Sequence, residues 1–256
     1  MITSSSNAQV KRVIQLNKKA KERKKQQVFV AEGFKMFQEA PKEWVERVFV
    51  TEVFLNEHKA LLSGIDYEVV EDRIFNQMSD TQTPQGILCL VRMPSYSLEE
   101  VLAGERPLCM ILEDLQDPGN VGTILRTAEG AGVTGILLSR STVDVFNPKT
   151  IRSTMGSVYR MPFVYIDDLC DVLPELKARG IMTYAAHLKG ENAYDGEDYS
   201  KGTAFFVGNE GNGLSEHLSR ETDRLIRIPM EGKVESLNAA IASSILMYEA
   251  YRQRRL

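Results

Sequence analysis

From residue 108 onward the chain alternates apolar runs with amphipathic segments, a pattern that few folds satisfy. The runs are nearly continuous in apolar residues and are separated by helical patterns and polar loops; they occupy 108–114, 135–139, 181–187, 204–208 and 225–230. A strand that is apolar on both faces needs cover on both faces, and intervening helices supply that cover. The sequence therefore predicts an α/β fold built on a parallel sheet.

The part before residue 108 has a different rhythm. Shorter strand and helix patterns between residues 27 and 93 predict a small α/β unit, while the polar stretch 93–107 carries two prolines and reads as a connection. We therefore predict a first domain over 1–96 that includes a basic arm, a linker over 97–107, and a larger domain over 108–256.

Charge is unevenly distributed along the chain. Residues 1–25 carry eight bases and one acid, Glu22, a net of +7 on a chain whose overall charge is −4. A basic arm on an acidic body is typical of nucleic-acid contact. A solvated helix face explains the same composition, and the sequence leaves both interpretations open.

Several classes of protein are disfavoured. No apolar run approaches the roughly 18 residues of a membrane span, and the first 25 residues lack the apolar core of a signal peptide, so we expect a cytoplasmic protein. Three separated cysteines and three scattered histidines show no metal-ligand spacing. We expect reduced core thiols and no metal.

Two loops of the larger domain, one before its first helix and one before its last, carry polar side chains. Asn120 stands where a helix N-cap is expected, and Arg126 lies six residues further on, where it can face an anion. Near the end of the chain, Ser236 is a plausible N-cap of the last helix, and Asn238 is a poor choice for helix propensity alone. Asn120 as a simple cap is the plainer alternative.

The loop GNEGNGLS, residues 208–215, lies between an apolar strand and a helix start. It lacks the Gly-Lys-Ser/Thr of a P-loop, and its G-x-x-G-x-G order is the reverse of the dinucleotide fingerprint. Two interpretations remain. Its glycines either allow backbone to approach a bulky ligand, with Glu210 presented from the turn, or they serve tight turning alone.

Three ordered motifs resemble those of the SpoU family, the RNA ribose 2'-O-methyltransferases of the SPOUT superfamily. They are N-x-G-x-x-x-R from Asn120, G-N-E-G-x-G-L from Gly208, and I-P-M-x-G-x-x-x-S-L-N from Ile228. The stretch PKTIRSTMGSVYRMPF, 148–163, also resembles a family segment. The part from FVAEG onward is similar to the family's substrate-binding domain, which has the fold of small ribosomal RNA-binding proteins. Ala239-Ala240 departs slightly from the family's Val-Ser or Val-Ala.

The resemblance implies a parallel-sheet SpoU methyltransferase domain with a C-terminal trefoil knot, and S-adenosylmethionine as the methyl donor. It implies functional side chains and donor-binding positions that meet at the knot. The functional side chains fall on Asn120, Arg126, Glu210, Ser236 and Asn238. The donor-binding positions fall on Gly208, Asn209, Gly211, Ile228, Met230 and Leu237.

The family also forms homodimers. The last helix carries a stripe of apolar residues at three- and four-residue spacing, which packs either on the core or on a partner subunit. The stripe consists of Leu237, Ile241, Ile245, Tyr248 and Tyr251.

The leading hypothesis is transfer of a methyl group to a ribose 2'-hydroxyl of RNA. The extra N-terminal domain favours ribosomal RNA over transfer RNA, and a non-catalytic RNA-binding factor is a further alternative. A nicotinamide enzyme is disfavoured by the glycine order. Because a guanidinium is a poor base, we expect Arg126 to hold RNA phosphate and polarise the hydroxyl, with Glu210 as the alternative proton acceptor.

Overall fold

The computed structural model describes residues 1–255, which form two compact units. Unit 1 consists of residues 1–94 and 144–159. Unit 2 consists of residues 95–143 and of the chain from residue 160 onward. The chain therefore leaves unit 2 after Val143 and returns to it at Arg160.

The strands and the helices are numbered separately, each in chain order. The strands are β1 (Val28–Glu32), β2 (Val45–Val50), β3 (Tyr67–Val69), β4 (Ile87–Arg92), β5 (Leu108–Leu112), β6 (Gly135–Ser139), β7 (Phe163–Ile166), β8 (Met182–Ala186), β9 (Asn192–Ala193), β10 (Thr203–Val207) and β11 (Arg224–Arg227). The helices are α1 (Ala8–Lys18), α2 (Ala20–Gln26), α3 (Phe34–Glu39), α4 (Glu52–His58), α5 (Asp72–Met78), α6 (Leu98–Val101), α7 (Pro118–Gly130), α8 (Pro148–Thr154), α9 (Leu173–Ala178), α10 (Glu216–Glu221) and α11 (Ala239–Arg254).

Unit 1 is built on a mixed sheet in the order β1-β4-β2-β3. Strand β4 is antiparallel to both of its neighbours, and β2 is parallel to β3. Helix α1 covers the sheet with Val10, Val13 and Leu16, which are fully buried in one cluster with residues of β1, β4 and α5. The apolar pattern of RVFVTEVFL, residues 47–55, predicts one strand region, but in the structure Thr51 caps α4 by accepting from Phe54 N, so the strand ends at Val50.

A buried arginine fixes the corner between α1 and α2. Arg23 is 3% exposed, and its guanidinium donates to the carbonyl oxygens of Leu16 (2.6 Å) and Asn17 (3.1 Å) at the end of α1. Two further N–H groups bond one carboxylate oxygen of Asp144, at 3.0 and 2.7 Å. Arg23 is thus an internal clamp, although its sequence context placed it among the bases of a surface arm.

Unit 2 contains the parallel sheet predicted from the apolar runs. Its order is β7-β6-β5-β10-β8-β11-β9, and every neighbouring pair is parallel. The chain runs outward from β5 through β6 to β7 at one edge. Strands β8 to β11 then form the other side of the sheet. The carboxyl ends of β5 and β10 therefore lie side by side, where the strand order reverses. In open α/β sheets, ligands bind in the crevice at such a point.

Helix α11 packs on α7 with small residues and two larger ones. Its buried face consists of Ala239, Ala240, Ser243, Leu246, Met247 and Ala250. The predicted stripe lies elsewhere: Ile241 is 52% exposed and Tyr248 is 50% exposed, while Leu237, Ile245 and Tyr251 are half-buried. Core packing of that stripe is therefore the wrong interpretation for this chain.

Candidate functional site

Three loops leave the sheet of unit 2 beside its reversal point, after β5, β10 and β11. The first two are tied together by side chains. Asn209 donates from Nδ2 to the Asp114 carbonyl (2.7 Å), and the Ser215 N–H donates to a carboxylate oxygen of Glu113 (2.6 Å). Asp114 itself adopts φ +57 and bonds Ser139 through its N–H and its carboxylate. The loops after β5 and β10 therefore form one connected rim.

A chain of side-chain hydrogen bonds joins the three loops. The amide Nδ2 of Asn120 donates to Glu210 Oε1 (3.0 Å), and Nδ2 of Asn238 donates to Asn120 Oδ1 (2.9 Å). Asn238 Oδ1 accepts from the N–H groups of Ala240 (2.9 Å) and Ile241 (3.3 Å). These helix N–H groups can only donate, so they fix the orientation of both amides along the chain.

In the structure, two helices are capped by residues other than the predicted ones. Asp117, and not Asn120, caps α7 by accepting from the Asn120 N–H, with Pro118 at the first helical position. Likewise Asn238, and not Ser236, caps α11. Proline is favoured at the first helical position because its missing N–H has no partner there, so Asp-Pro-Gly was the signal that could have located the α7 cap.

Glu210 is held by four donors. Besides Asn120, the N–H of Asp117 donates to Oε1 and the N–H of Gln116 donates to Oε2, each at 3.2 Å. Partial burial by itself raises the pKa of Glu210, but these hydrogen bonds, with one from its own backbone, outweigh burial and leave that pKa lowered. Glu210 is therefore a carboxylate at neutral pH. Gln116 and Asp117, whose N–H groups hold it, were not predicted as site residues.

Arg126 and Ser236 lie outside this chain of hydrogen bonds. Arg126 is exposed on α7, and its guanidinium makes no hydrogen bond or ion pair with any residue in the described range 1–255. Ser236 is exposed in the loop after β11, and its hydroxyl has no partner among the same residues. Both side chains are open to a ligand.

The glycine loop is folded mainly by its own contacts. A Cβ on Gly208 would lie 2.1 Å from both the Gly213 carbonyl carbon and the Leu214 nitrogen, so the chain approaches itself there. Asn209 and Gly213 exchange two backbone hydrogen bonds, and Gly213 adopts φ +69. At Gly208 and Gly213 the tight-turn interpretation of the loop is sufficient. Gly211 has a negative φ and only one close neighbour, the side chain of Asn209.

The loop after β11 presents both open backbone polar groups and apolar side chains, which suits a ligand with polar and apolar parts. Its backbone over 229–237 makes no hydrogen bond to the rest of the described chain. Ile228, Met230 and Leu237 are half-buried apolar side chains in this segment, and Val234 is an exposed one. Open N–H and carbonyl groups beside apolar side chains match the chemistry of a nucleoside with an amino acid attached, so these residues fit S-adenosylmethionine.

The described residues show no metal site, no membrane-spanning helix and no reactive thiol at Cys89 or Cys109. Across 1–255 no group of three His, Cys, Asp or Glu side chains is placed to hold a metal ion. No described helix combines the length and apolarity needed to cross a bilayer. Burial raises the pKa of the Cys89 thiol to about 12 and that of Cys109 to about 11, which makes both poor nucleophiles.

Family models match both parts of the chain. The model of the SpoU rRNA Methylase family matches residues 107–248, and that of an MRM3-like substrate binding domain matches residues 7–89.

Individual relatives agree. The chain is 36% identical over 251 residues to the 23S rRNA (guanosine(2553)-2'-O)-methyltransferase RlmP of Bacillus subtilis, covering 96% of this chain and 97% of the relative. It is 32% identical over 179 residues to a 23S rRNA (uridine(2479)-2'-O)-methyltransferase of Streptomyces viridochromogenes, covering 68% of this chain and 62% of the relative.

Solved structures match over nearly the full length. An AdoMet-bound rRNA methyltransferase from Sinorhizobium meliloti superposes with a TM-score of 0.86 at 32% identity, covering 98% of this chain and 97% of that one. The SpoU methyltransferase AviRb of Streptomyces viridochromogenes, in complex with AdoMet, gives 0.88 at 26% identity, covering 97% and 98%. The three motifs, the parallel sheet and these matches together place the chain in the SpoU rRNA methylase family.

Proposed function

We propose that this chain transfers the methyl group of S-adenosylmethionine to a ribose 2'-hydroxyl of RNA. The observation that carries the proposal is the hydrogen-bonded chain Asn238–Asn120–Glu210. It joins one residue from each of the three family motifs at the reversal point of the parallel sheet. A non-catalytic RNA-binding factor would have no need for this arrangement.

The donor brings the reactive group, because its sulfonium supplies an activated methyl that needs no further activation by protein groups. The chain has to bind this donor and place the hydroxyl in line with the methyl. Its proposed donor contacts come from the loops after β10 and β11, at Gly208, Asn209, Gly211, Ile228, Met230 and Leu237. Asn209 serves mainly as a brace, because its side chain is already bonded to Asp114, Gly211 and Asn212.

Arg126 is the proposed ligand of the RNA phosphate and polariser of the 2'-hydroxyl. Its guanidinium is exposed and unpaired within residues 1–255, so it is available for a charge-assisted bond to phosphate oxygen. It is a poor base. Glu210 is also a weak base, since its pKa is lowered and both oxygens accept hydrogen bonds. We assign Glu210 the role of orienting Asn120, and Ser236 with Asn238 the role of lining the hydroxyl side of the site.

The preferred substrate is ribosomal RNA. Two matches over nearly the full length, the RlmP relative and the Sinorhizobium meliloti structure, bear rRNA methyltransferase names, and the MRM3-like substrate binding domain model covers 7–89. A structure described as concerning 2-OH methylation of C/U34 on tRNA matches only 64% of this chain, with a TM-score of 0.55. About a third of this chain therefore has no counterpart in that tRNA-related structure. Transfer RNA remains the alternative substrate.

The corner between α1 and α2 is the proposed phosphate-binding surface of unit 1. We call it the lysine corner. Its side chains are exposed, and none forms an ion pair with a residue in the described range; they are Lys18, Lys19, Lys21, Lys24 and Lys25. Five unneutralised charges on two short helices fit a polyanion better than they fit a solvated helix face.

Assembly and topology belong to the same proposal. Exposed Ile241 and Tyr248, two turns apart on one face of α11, support a homodimer, because exposed apolar patches mark interaction surfaces. The C-terminal trefoil knot, the cytoplasmic location and the functional division at the linker 97–107 rest on the family resemblance.

The direct test is incubation of the purified chain with methyl-labelled donor and ribosomal or transfer RNA, followed by nucleoside analysis. We expect label in a 2'-O-methyl nucleoside from ribosomal RNA. Donor binding without transfer to either RNA would instead favour the non-catalytic factor.

A further inference from the structure

Two sequence segments without an assigned role meet around one cleft of unit 1. The segment FVAEG contributes the end of β1 and the start of α3, and the segment PKTIRSTMG contributes α8 and its C-terminal cap. The cleft holds about 250 Å³. The lining side chains that matter for its chemistry are Lys35, Met36, Thr83, Gln85, Arg152 and Met155.

The hydrogen-bond acceptors around the cleft are already used. Glu32 is 8% exposed; its Oε1 accepts from Ser79 Oγ (2.5 Å) and Thr81 Oγ1 (2.6 Å), and its Oε2 accepts from Asp80 N (2.9 Å). Gln85 Oε1 accepts from the Phe34 N–H at 2.7 Å. These bonds hold the 79–85 loop against β1 and leave few acceptors for a ligand.

The donors are largely unused. Because Oε1 of Gln85 accepts, its Nε2 faces away with two N–H groups that have no partner among residues 1–255. Arg152 spends one nitrogen on Asp80 (2.7 Å), while its other N–H groups have no partner in the same range. The Thr83 hydroxyl is exposed and unbonded there too. Such a rim suits a ligand rich in acceptors, and Arg152 favours an anionic one, whereas the Lys35 ammonium is ion-paired with Glu39.

The floor of the cleft is apolar and strained. Met36 is buried. Met155 is 42% exposed and adopts φ +52, a backbone conformation that residues other than glycine rarely take. Next to it, a Cβ on Gly156 would lie 2.8 Å from the side chain of Glu39. An exposed methionine held in an unfavourable backbone conformation points to use by a ligand, and its polarisable thioether packs well on flat rings.

We propose that this cleft binds one unpaired nucleotide of the RNA substrate. The base lies on Met36 and Met155, its acceptor edge meets Gln85 Nε2 or Thr83, and its phosphate meets Arg152. An unpaired nucleotide combines an accessible flat face, base acceptors and an anion, whereas a paired one hides its edges. The inference rests on the proposed function in taking RNA as the substrate, but it concerns a binding site separate from methyl transfer.

The test uses the full-length chain and a short single-stranded RNA that contains 4-thiouridine, beside the same sequence as a duplex. We expect ultraviolet cross-links on the peptides that contain Gln85 or Met155. We expect Arg152→Gln to weaken single-strand binding about tenfold or more, the effect of losing one charge-assisted hydrogen bond, with a much smaller effect on the duplex.

Met155→Gly is the second variant, because glycine accepts φ +52 and the fold keeps or gains stability. We expect it to weaken single-strand binding severalfold with an unchanged thermal midpoint. Arg73→Gln, an exposed arginine elsewhere in unit 1, is the matched control and should leave the single-strand preference intact.

Unchanged single-strand affinity in both cleft variants, or cross-links only outside the cleft, would overturn the inference. Failure of the proposed function looks different: the wild-type chain then transfers no methyl to any RNA, whether or not the cleft binds the oligonucleotide. If the cleft binds a protein and not RNA, both variants should keep the wild-type affinity for RNA. That result also counts against the inference.

Discussion

At the scale of single residues, the site depends on which asparagine caps a helix and which does not. Asp117 takes the α7 cap, so the Asn120 side chain is released to bond Glu210 and Asn238. Asn238 does both tasks: its oxygen caps α11 and its nitrogen reaches Asn120. Each amide keeps one Nδ2 proton beyond these bonds, which is available to a ligand oxygen.

Arg126→Ala tests the role of the unpaired guanidinium. We expect turnover to fall about a hundredfold or more, as when a preorganised electrostatic donor is removed, with little change in donor affinity. Single-turnover methylation and calorimetric donor titration measure the two quantities. Arg220→Ala serves as the control, because it removes an exposed arginine whose side chain bonds only Glu216 among residues 1–255. Loss of donor binding with normal turnover at saturating donor is incompatible with the assigned role.

Glu210→Gln tests the carboxylate that orients Asn120. Glutamine accepts through one oxygen only and places an NH2 against backbone N–H groups, so we expect lower activity and a thermal midpoint reduced by about 2–4 °C at pH 7. Because the folded pKa of Glu210 is lowered, its stabilisation is present at neutral pH and is lost as pH falls through a value below 4.5.

The difference in midpoint between wild type and Glu210→Gln should therefore shrink between pH 6 and pH 3. Glu216→Gln, on the surface of α10, controls for general effects of charge. A midpoint difference that stays constant with pH would contradict the assigned hydrogen bonds.

The sequence could predict these residues but not their local geometry. Asn120, Glu210 and Asn238 follow from the motifs, yet both caps were assigned to the wrong residue. A Ser or Asn near a helix start has equal capping chemistry at several positions, and only tertiary contacts decide among them. Asn238 bonds a residue 118 positions away, a contact that no local propensity encodes.

At the scale of elements, α1 and α2 separate two roles for basic residues. Arg23 is buried and neutralised by Asp144, and Arg12 bonds Glu46 (3.0 Å), so neither belongs to the open surface. The lysine corner keeps five of the six remaining bases on one bend of the chain, and Lys11 is exposed on α1. Sequence composition counts all eight bases alike, whereas burial and ion pairing distinguish them.

The triple variant Lys21→Ala, Lys24→Ala, Lys25→Ala tests that corner. Each phosphate contact contributes about 0.7 to 0.9 to the slope of log affinity against log salt, so the slope should fall by about 2. Turnover at saturating RNA should be nearly unchanged. Lys42→Ala with Lys59→Ala, also exposed in unit 1, provides the control. An unaltered slope means that the lysine corner does not contact RNA.

Helix α11 shows what the spacing of apolar residues predicts and what it does not. The sequence pattern predicts a helix over 237–256, within two residues of the observed limits of α11 at both ends, but the apolar stripe is not its buried face. The buried face carries alanines and Ser243, because small side chains let α11 approach α7 closely. Large apolar residues stand out in a pattern, whereas small ones that allow close packing do not.

At the scale of the whole molecule, the apolar runs predicted a parallel sheet, and the structure confirms it. The strand order β7-β6-β5-β10-β8-β11-β9 did not follow from the sequence, since the runs of β5, β6 and β10 are buried at every residue and any of these three fits a central place. Strand β7 also went unpredicted, because FVYI is short and only half-buried beyond Phe163. The route of residues 144–159 into unit 1 is a further long-range choice.

The double variant Ile241→Glu, Tyr248→Glu tests the proposed homodimer. We expect wild type to sediment at twice the 28.8 kDa chain mass and the variant to sediment as a monomer, because two buried like charges per subunit oppose association. Val53→Glu, at an equally exposed apolar position of unit 1, should remain dimeric. A wild-type chain that is monomeric at micromolar concentration would refute the dimer.

The central claim is methylation of a ribose 2'-hydroxyl in ribosomal RNA, and it is tested most directly by mapping 2'-O-methyl sites in ribosomal and transfer RNA with and without the gene. The account predicts that a ribosomal RNA site loses its methyl group without the gene and regains it when the wild-type chain, but not Arg126→Ala, is restored. Loss at a transfer RNA site alone would contradict the assigned substrate. Unchanged methylation in both RNAs would contradict the proposed function itself.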